Sequence, residues 1–366
     1  MATPAATWQY RDEHGADFGR TFFRPCGDLA VSSVGVGTYL GDPTDAADDD
    51  YVDAITAALE SGVNVLDTAI NYRHQRSERA VGRAIEAADV DRDAVFVSTK
   101  GGFVPFDRTR PEDPGGFVRD TYVDAGLVDV DELVRGQHCI APAFVDDQVD
   151  RSLSNLGLDT IDLYYVHNPE TQLAARSREA VYDLLTEALV RLEERREAGD
   201  LGAYGVATWD AFRVPPDDDG HLSLPAVIGR ARRAAARVGR DPSAHGLAAL
   251  QLPLSATMAD AFTARPHAVA GAAAPLSSLG YADQAGVNVF VSAPLGQGAL
   301  AVSLPDAVAE TVAGDTPAQK ALNFARSAPA VTAAIVGSGR PTHVRENLAA
   351  GTFDPLGARA FDETFA

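Results

Sequence analysis

Short β-branched runs that end in Gly, Ser, Thr or Asp alternate with longer segments of helical period along this chain, and that alternation leaves few folds open. The pattern predicts strands at 33–37, 64–66, 95–98, 161–166, 203–207, 248–252, 287–291 and 331–336. Helices are expected near 49–61, 77–88, 144–156, 176–198, 225–238, 276–285, 316–327 and 343–350, several closed by stop signals such as Ser61-Gly62, Gly157 and Ala198-Gly199. Eight strands, eight helices and no repeated GxGxxG turn point to a (β/α)8 TIM barrel rather than a doubly wound dinucleotide fold. One barrel domain over 1–366 is expected, because such barrels run to this length as single units. Residues 10–32 precede the first barrel strand and are expected to form a hairpin closing the floor. A polar, Pro-rich insertion at 101–142 follows the third strand. At the C-terminal face of a barrel, a loop of this length reads as a pocket wall or lid.

Charge narrows the partners. The formal net charge is −21, from 52 acidic and 31 basic residues. A chain this acidic is repelled by nucleic acid and by anionic membranes, so neither is expected as a partner. Its acids are mostly Asp, its bases almost all Arg and its aromatics few, a composition expected of a cytoplasmic, halophilic protein. The runs Asp48-Asp49-Asp50 and Asp217-Asp218-Asp219 are then solvated surface, since neither has the Gly turn and distal Glu of a calcium loop. Cys26 and Cys139 make no disulfide framework, and no apolar run is long enough to span a bilayer. His74, His138, His221, His245 and His267 show no metal-ligand spacing, and no metal site is expected. Oligomeric state stays open.

Only two lysines remain, Lys100 and Lys320. Lys100 ends the run VFVSTK, and a compact, tunable ammonium is something arginine does not replace. Three other residues sit at equivalent places: Asp67 and Tyr72 in GVNVLDTAINY, and His167 in IDLYYVH. In a parallel barrel every strand C-terminus faces the same way, so these four converge. An ammonium ~4 Å from a phenol favours the phenolate by up to about 4 kcal/mol at an effective dielectric of about 20. That lowers the Tyr72 pKa by as much as ~3 before burial acts against it. Asp67 keeps Lys100 charged and aimed, and His167 orients a carbonyl oxygen. The set is a general acid for an oxyanion. No side chain supplies a hydride, which makes a nicotinamide cofactor the natural source.

The stretch GVNVLDTAINYRHQRSERAVGRAI resembles the signature of the aldo-keto reductase family, and the family's Asp-Tyr-Lys-His tetrad matches Asp67, Tyr72, Lys100 and His167 in order and strand context. The resemblance implies carbonyl reduction, or its reverse, with NADP as cofactor and NAD as the lesser possibility. It also implies further cofactor contacts. Gln251 in LQLPL and Thr208 fall where the nicotinamide carboxamide is gripped, while Pro294, Leu295, Gly296 and Gly298 match the loop under the pyrophosphate. Ser338, Arg340, Glu346 and Asn347 in IVGSGRPTHVRENLA match the adenosine-phosphate loop, with His343 nearby, and Tyr39 matches an aromatic pocket wall. Two stretches depart from the family pattern. Ala207-Thr208-Trp209 replaces the usual Ser-Asn, and Ser292-Ala293 replaces an aromatic followed by Ser.

Two other functions fit parts of this pattern. Lys100 at a strand end suits a Schiff-base aldolase, although a charged Asp partner keeps an amine protonated and a poor nucleophile. A non-catalytic cofactor-binding sensor or auxiliary subunit on the same fold would tolerate the two departures. Asn168 and Glu170 either line the pocket or cap the following segment.

Overall fold

The computed structural model describes residues 1–269, 271 and 273–365. A hairpin of β1 (Phe23–Cys26) and β2 (Leu29–Ser32) leads into eight parallel strands: β3 (Val34–Gly37), β4 (Val65–Asp67), β5 (Phe96–Gly101), β6 (Ile161–His167), β7 (Leu201–Ala207), β8 (Leu247–Pro253), β9 (Asn288–Ser292) and β10 (Val331–Gly337). Each pairs with the next, and β10 pairs with β3 to close the barrel. The expected fold is the observed one, with strand ends displaced by up to three residues. Helices run between strands over Asp45–Leu59, Arg76–Ala87, Pro142–Leu156, Arg178–Ala198, Leu224–Arg237, Ser278–Ala285 and Pro317–Ser327, and Pro341–Ala349 follows the last strand. Their limits follow from local chemistry. Thr44, Ser177, Ser223, Ser277 and Thr316 cap N-termini through their hydroxyls, and Gly157, Gly199 and Gly286 end helices with left-handed backbone.

Strand alternation decides what lines the barrel axis, because side chains two apart share a face. Val65, Phe96, Leu163, Tyr165, Ala249, Phe290, Ala333 and Ile335 pack together inside, with the Phe96 and Phe290 rings stacked 5.6 Å apart. Further toward the C-terminal ends of these strands, on the same inward face, are Asp67, Lys100, His167, Gln251 and Ser292. The tetrad's strand residues are therefore the top layer of the barrel filling. Gly205 makes room for this packing, since a Cβ there would lie 2.8 Å from the Tyr165 ring.

Cys26 and Val31 of the hairpin pack on the barrel interior from the other end. The hairpin is shorter than expected, because residues Pro4–His14 form a helix. That helix carries little apolar periodicity and is fixed by particular contacts. The Thr3 hydroxyl caps it, the Ala2 N–H donates to buried Asp162 (2.5 Å), and the Tyr10 hydroxyl donates to the Leu59 carbonyl. The stretch after β5 folds on a small core of its own, in which Val104, Val118, Tyr122, Val128, Cys139 and Phe144 are buried. Burial pushes both Cys thiols up to about 12, which leaves them unreactive. Among the described residues no helix is long and apolar enough to cross a membrane.

Asn64 ties hairpin to barrel. Fully buried, it accepts from the Ser32 N–H (2.8 Å) and donates to the Ala30 (2.9 Å) and Ala94 (3.0 Å) carbonyls. Asn64→Ala strands three buried backbone groups, and a loss of roughly 2–4 kcal/mol in urea unfolding is expected.

Candidate active site

Asp67 closes β4 and Lys100 stands near the end of the neighbouring β5. Their side chains are buried and meet at 2.5 Å between Nζ and Oδ2. Lys100 Nζ also donates to the Thr68 carbonyl (2.7 Å). The other Asp67 oxygen, Oδ1, accepts from Ser98 Oγ (2.7 Å) and from Gln251 Nε2 (2.8 Å). One carboxylate thus collects donors from β5 and β8. Burial works against the Lys100 ammonium, yet Asp67, helped by Tyr72, holds its pKa above the usual lysine value. The amine stays charged.

Tyr72 lies in the loop beyond β4, with its ring centroid 5.0 Å from Lys100 Nζ and 6.0 Å from the centroid of the His167 ring. Its pKa departs from the sequence-based expectation. Burial raises it more than the Lys100 charge lowers it, with Asp67 adding to the rise, so the net movement is upward. The phenol keeps its proton at neutral pH. His167 moves the opposite way: burial first, then Lys100 and His138, hold its pKa well below 6.5. The ring is neutral. Its Nδ1 is buried with no hydrogen-bond partner, and the ring lines the cavity.

The segment after Tyr72 is strained. Arg73, His74 and Gln75 all take positive φ (47°, 60° and 67°), a region unfavourable to residues with a Cβ. Surrounding bonds hold it there. Arg73 donates to the Asp42 carbonyl and pairs with Asp48, Arg76 pairs with Asp45 (2.8 Å) and Asp48 (2.6 Å), and Gln75 donates to the Phe106 carbonyl (3.0 Å). Asp48 is therefore not solvated surface, as its place in an acidic run implied. Its side chain is largely buried because the guanidinium groups of Arg73 and Arg76 fold over it. The run 217–219 is exposed as expected.

A cavity of ≈ 700 Å³ opens above this group. Asp67, Tyr72 and His167 sit at one part of it, with Tyr39, Phe103 and Trp209 as aromatic walls and Gly337 and His343 at another part. Thr208, Gln251, Pro294, Leu295 and Gly298 also line it. Gly296, Ser338, Arg340, Glu346 and Asn347 do not. Arg340 is exposed at the N-terminus of the Pro341–Ala349 helix, Asn347 donates to Ser338 Oγ (2.8 Å), and Glu346 accepts from Thr316 (2.9 Å). Thr208 is engaged: it donates to Glu170 (2.8 Å) and accepts from the Ala211 N–H (2.9 Å). Glu170 also accepts from the Trp209 N–H (2.8 Å), so it caps the loop after β7 rather than the segment that follows it in sequence. Asn168 lines the cavity with a left-handed backbone (φ 46°). Ala293 (φ 52°) does likewise.

Sequence reasoning did not single out Asn71, Leu40 or Gln297 in the lining, and gave His138 no role. Asn71 adjoins Tyr72 in the signature stretch, and that adjacency was the available signal. His138 carried none, because its neighbour Phe103 is 35 positions away in the insertion.

The barrel thus brings Asp67, Tyr72 and His167 to one cavity, with Lys100 bonded to Asp67. The model of the Aldo/keto reductase family matches residues 33–215, and the chain belongs to that family. An NADH-specific methylglyoxal reductase of Escherichia coli is 29% identical over 192 residues, covering 51% of each chain. A 2,5-diketo-D-gluconic acid reductase B of Corynebacterium is 34% identical over 135 residues, 37% of this chain and 34% of that protein. The chain thus spans a third to a half of the length of these curated relatives. Among solved structures, a glycerol dehydrogenase of Gluconobacter oxydans superposes with a TM-score of 0.64 at 19% identity, over 95% of both chains. An aldo-keto reductase of Klebsiella pneumoniae in complex with NADPH gives 0.60 at 19% identity, over 93% of this chain and 92% of that one.

Burial of imidazoles makes the fold sensitive to acid. His138 and His267 are fully buried, and desolvation drives both down to about 4. The unfolded chain titrates near ~6.5, so between there and about 4 it binds protons that the folded chain refuses. The stability these rings confer is complete above ~6.5 and drains away as pH falls toward 4. Each contributes up to ~3 kcal/mol at ~1.36 kcal/mol per pH unit. Urea unfolding at pH 7, 6 and 5 in one salt is expected to show falling stability, and a flat profile would contradict it.

Proposed function

We propose that the protein reduces a small aldehyde or ketone to an alcohol, or runs the reverse reaction, with NADP as cofactor and NAD as the lesser alternative. The observation that carries this reading is that a protonated Tyr72 and a neutral His167 line one cavity, with a charged Lys100 buried beside the Tyr72 ring. The neutral His167 ring donates to a substrate carbonyl through its one N–H. Tyr72 gives its proton to the oxygen as negative charge develops there. Lys100 then carries part of the phenolate's charge, which a lone buried tyrosine cannot sustain. Asp67 fixes the ammonium, and its bonds to Ser98 and Gln251 keep it from turning away.

The residues present fit a nicotinamide dinucleotide. The cavity reaches from Tyr72 to His343, at the start of a helix whose first N–H groups and exposed Arg340 suit a phosphate. Gln251, with Nε2 spent on Asp67, keeps Oε1 for a carboxamide N–H. Pro294, Leu295, Gly296 and Gly298 would hold the pyrophosphate; Ser338, Arg340, Glu346 and Asn347 would form the adenosine end. Thr208 holds least, since Glu170 has its hydroxyl proton. When bound, the nicotinamide supplies the hydride that no side chain can. The NADH-specific Escherichia coli relative and the NADPH complex from Klebsiella support both forms of cofactor for the family. Lys100, buried and ion-paired, is a poor Schiff-base nucleophile.

The reading extends to the whole chain as one barrel unit with 101–142 as a wall of the pocket, which Phe103 in the lining supports. It also includes a halophilic, cytoplasmic setting, supported by the charge of −21 and the exposed aspartates.

Tyr72→Phe is expected to lower kcat by about 10²–10⁴-fold while the Kd for NADPH, followed by fluorescence, stays unchanged. Full turnover by the variant, or no binding of NADPH or NADH by the folded protein, would sink the assignment. The acidity makes a second expectation. Screening shrinks from about 10 Å at 0.1 M salt to about 3 Å at 1 M, so Tm is expected to climb steadily with KCl over that range.

A further inference from the structure

His138, from the insertion after β5, is buried directly behind the catalytic layer. It forms isolated antiparallel bridges with Phe103 and Val134. Its Nε2 lies 2.8 Å from the backbone carbonyl oxygen of His167. A carbonyl only accepts, so this nitrogen carries the ring proton. Nδ1 is then the acceptor, and Gln172 Nε2 donates to it at 2.8 Å. Gln172 also donates to the His138 carbonyl (3.1 Å), and its Oε1 accepts from Arg176 Nη1 (2.7 Å). The chain Arg176, Gln172, His138, His167 thus has one consistent direction of donors, and each member fixes the next.

Sterics reinforce the bonds. The Phe103 ring meets His138 at 4.7 Å and His167 at 5.0 Å, edge to face with each. Gly102 has φ 143°, and a Cβ on it would fall 2.8 Å from the His167 carbonyl oxygen and 3.2 Å from His138 Nε2. The close approach of the two histidines therefore depends on a glycine at this position. Beyond the His167 carbonyl the backbone turns left-handed at Asn168, so the sheet gives way to this side-chain support at the last inward residue of β6.

We propose that His138, held by Gln172, is a positioning residue for His167: it anchors the strand-end carbonyl so that the imidazole keeps its place beside Tyr72. The insertion thereby becomes part of the catalytic frame as well as a pocket wall. The inference rests on the reductase reading for its kinetic consequence, and on the hydrogen bonds alone for its structural one.

A double-mutant cycle tests it, with methylglyoxal as the probe carbonyl and NADPH saturating. His138→Phe and Gln172→Leu are each expected to cut kcat/KM by about 10–100-fold, the scale set by sub-ångström misplacement of a reacting group. The Kd for NADPH is expected to stay within about twofold, well below the effect of losing a direct contact. His138→Gln, whose amide can donate to the same carbonyl, recovers most of the loss. In a His167→Ala background, His138→Phe costs nothing further, because its effect passes through the missing ring. Equal losses in both backgrounds, or no loss in either variant, overturn the proposal. Should the wild type turn over no carbonyl, the reductase reading fails by itself. The ring ¹⁵N spectrum of His167 then decides the positioning role: one Nε2–H tautomer in the wild type that becomes averaged in Gln172→Leu supports it, and an unchanged spectrum overturns it.

Discussion

The buried ion pair between Asp67 and Lys100 is the constraint around which the rest of the site is arranged. Two charges withdrawn from water cost several kcal/mol each unless every remaining valence is met. Here Ser98 and Gln251 satisfy the second carboxylate oxygen, and the Thr68 carbonyl takes another ammonium proton. These partners come from β4, β5, β8 and the loop after β4, so the pair is assembled only when the barrel has closed. It also accounts for a lysine at this position in a chain whose bases are almost all arginine. A guanidinium is wide and forked, and it would not fit the small space shared by Asp67, Thr68 and Tyr72.

Tyr72 reads out the balance between burial and charge. Desolvation raises its pKa, Lys100 pulls it down, and desolvation wins. A protonated phenol beside a fixed cation is a group that can give its proton to a developing oxyanion. The loop bearing Tyr72 owes part of its shape to acidic residues. Three successive left-handed residues persist because Asp45 and Asp48 pin the arginines beside them. Some of the acid load of this chain therefore acts on the site as well as on solubility.

The fold was legible because a parallel barrel writes itself as a repeat, with each β-branched run and each Ser or Thr cap marking one unit. The four tetrad residues were legible because strand C-termini are the one place where distant segments must meet. The direction of the Tyr72 pKa was not legible, since it turns on how tightly the ring is enclosed, which no spacing reveals. Asp48 was misread for a related reason: within a run of three acids nothing distinguishes the one that two arginines cover. The Pro4–His14 helix escaped notice because a cap and the long-range bonds of Ala2 and Tyr10 hold it, and an apolar stripe does not.

The loops explain why departures from the family pattern do not disturb the barrel. Inward residues are fixed by pleat and register, so Asp67, Lys100, His167 and Gln251 have little freedom to vary together. The loop after β7 has more, and it has its own support. Glu170 reaches across from the loop after β6 and gathers the Thr208 hydroxyl and the Trp209 N–H on one carboxylate oxygen. That bond orders the loop and takes up the Thr208 hydroxyl proton. Gln251, fixed by Asp67, is a polar group of the cavity wall that the barrel itself orients, so the same carboxylate that holds Lys100 also sets the edge of the cavity.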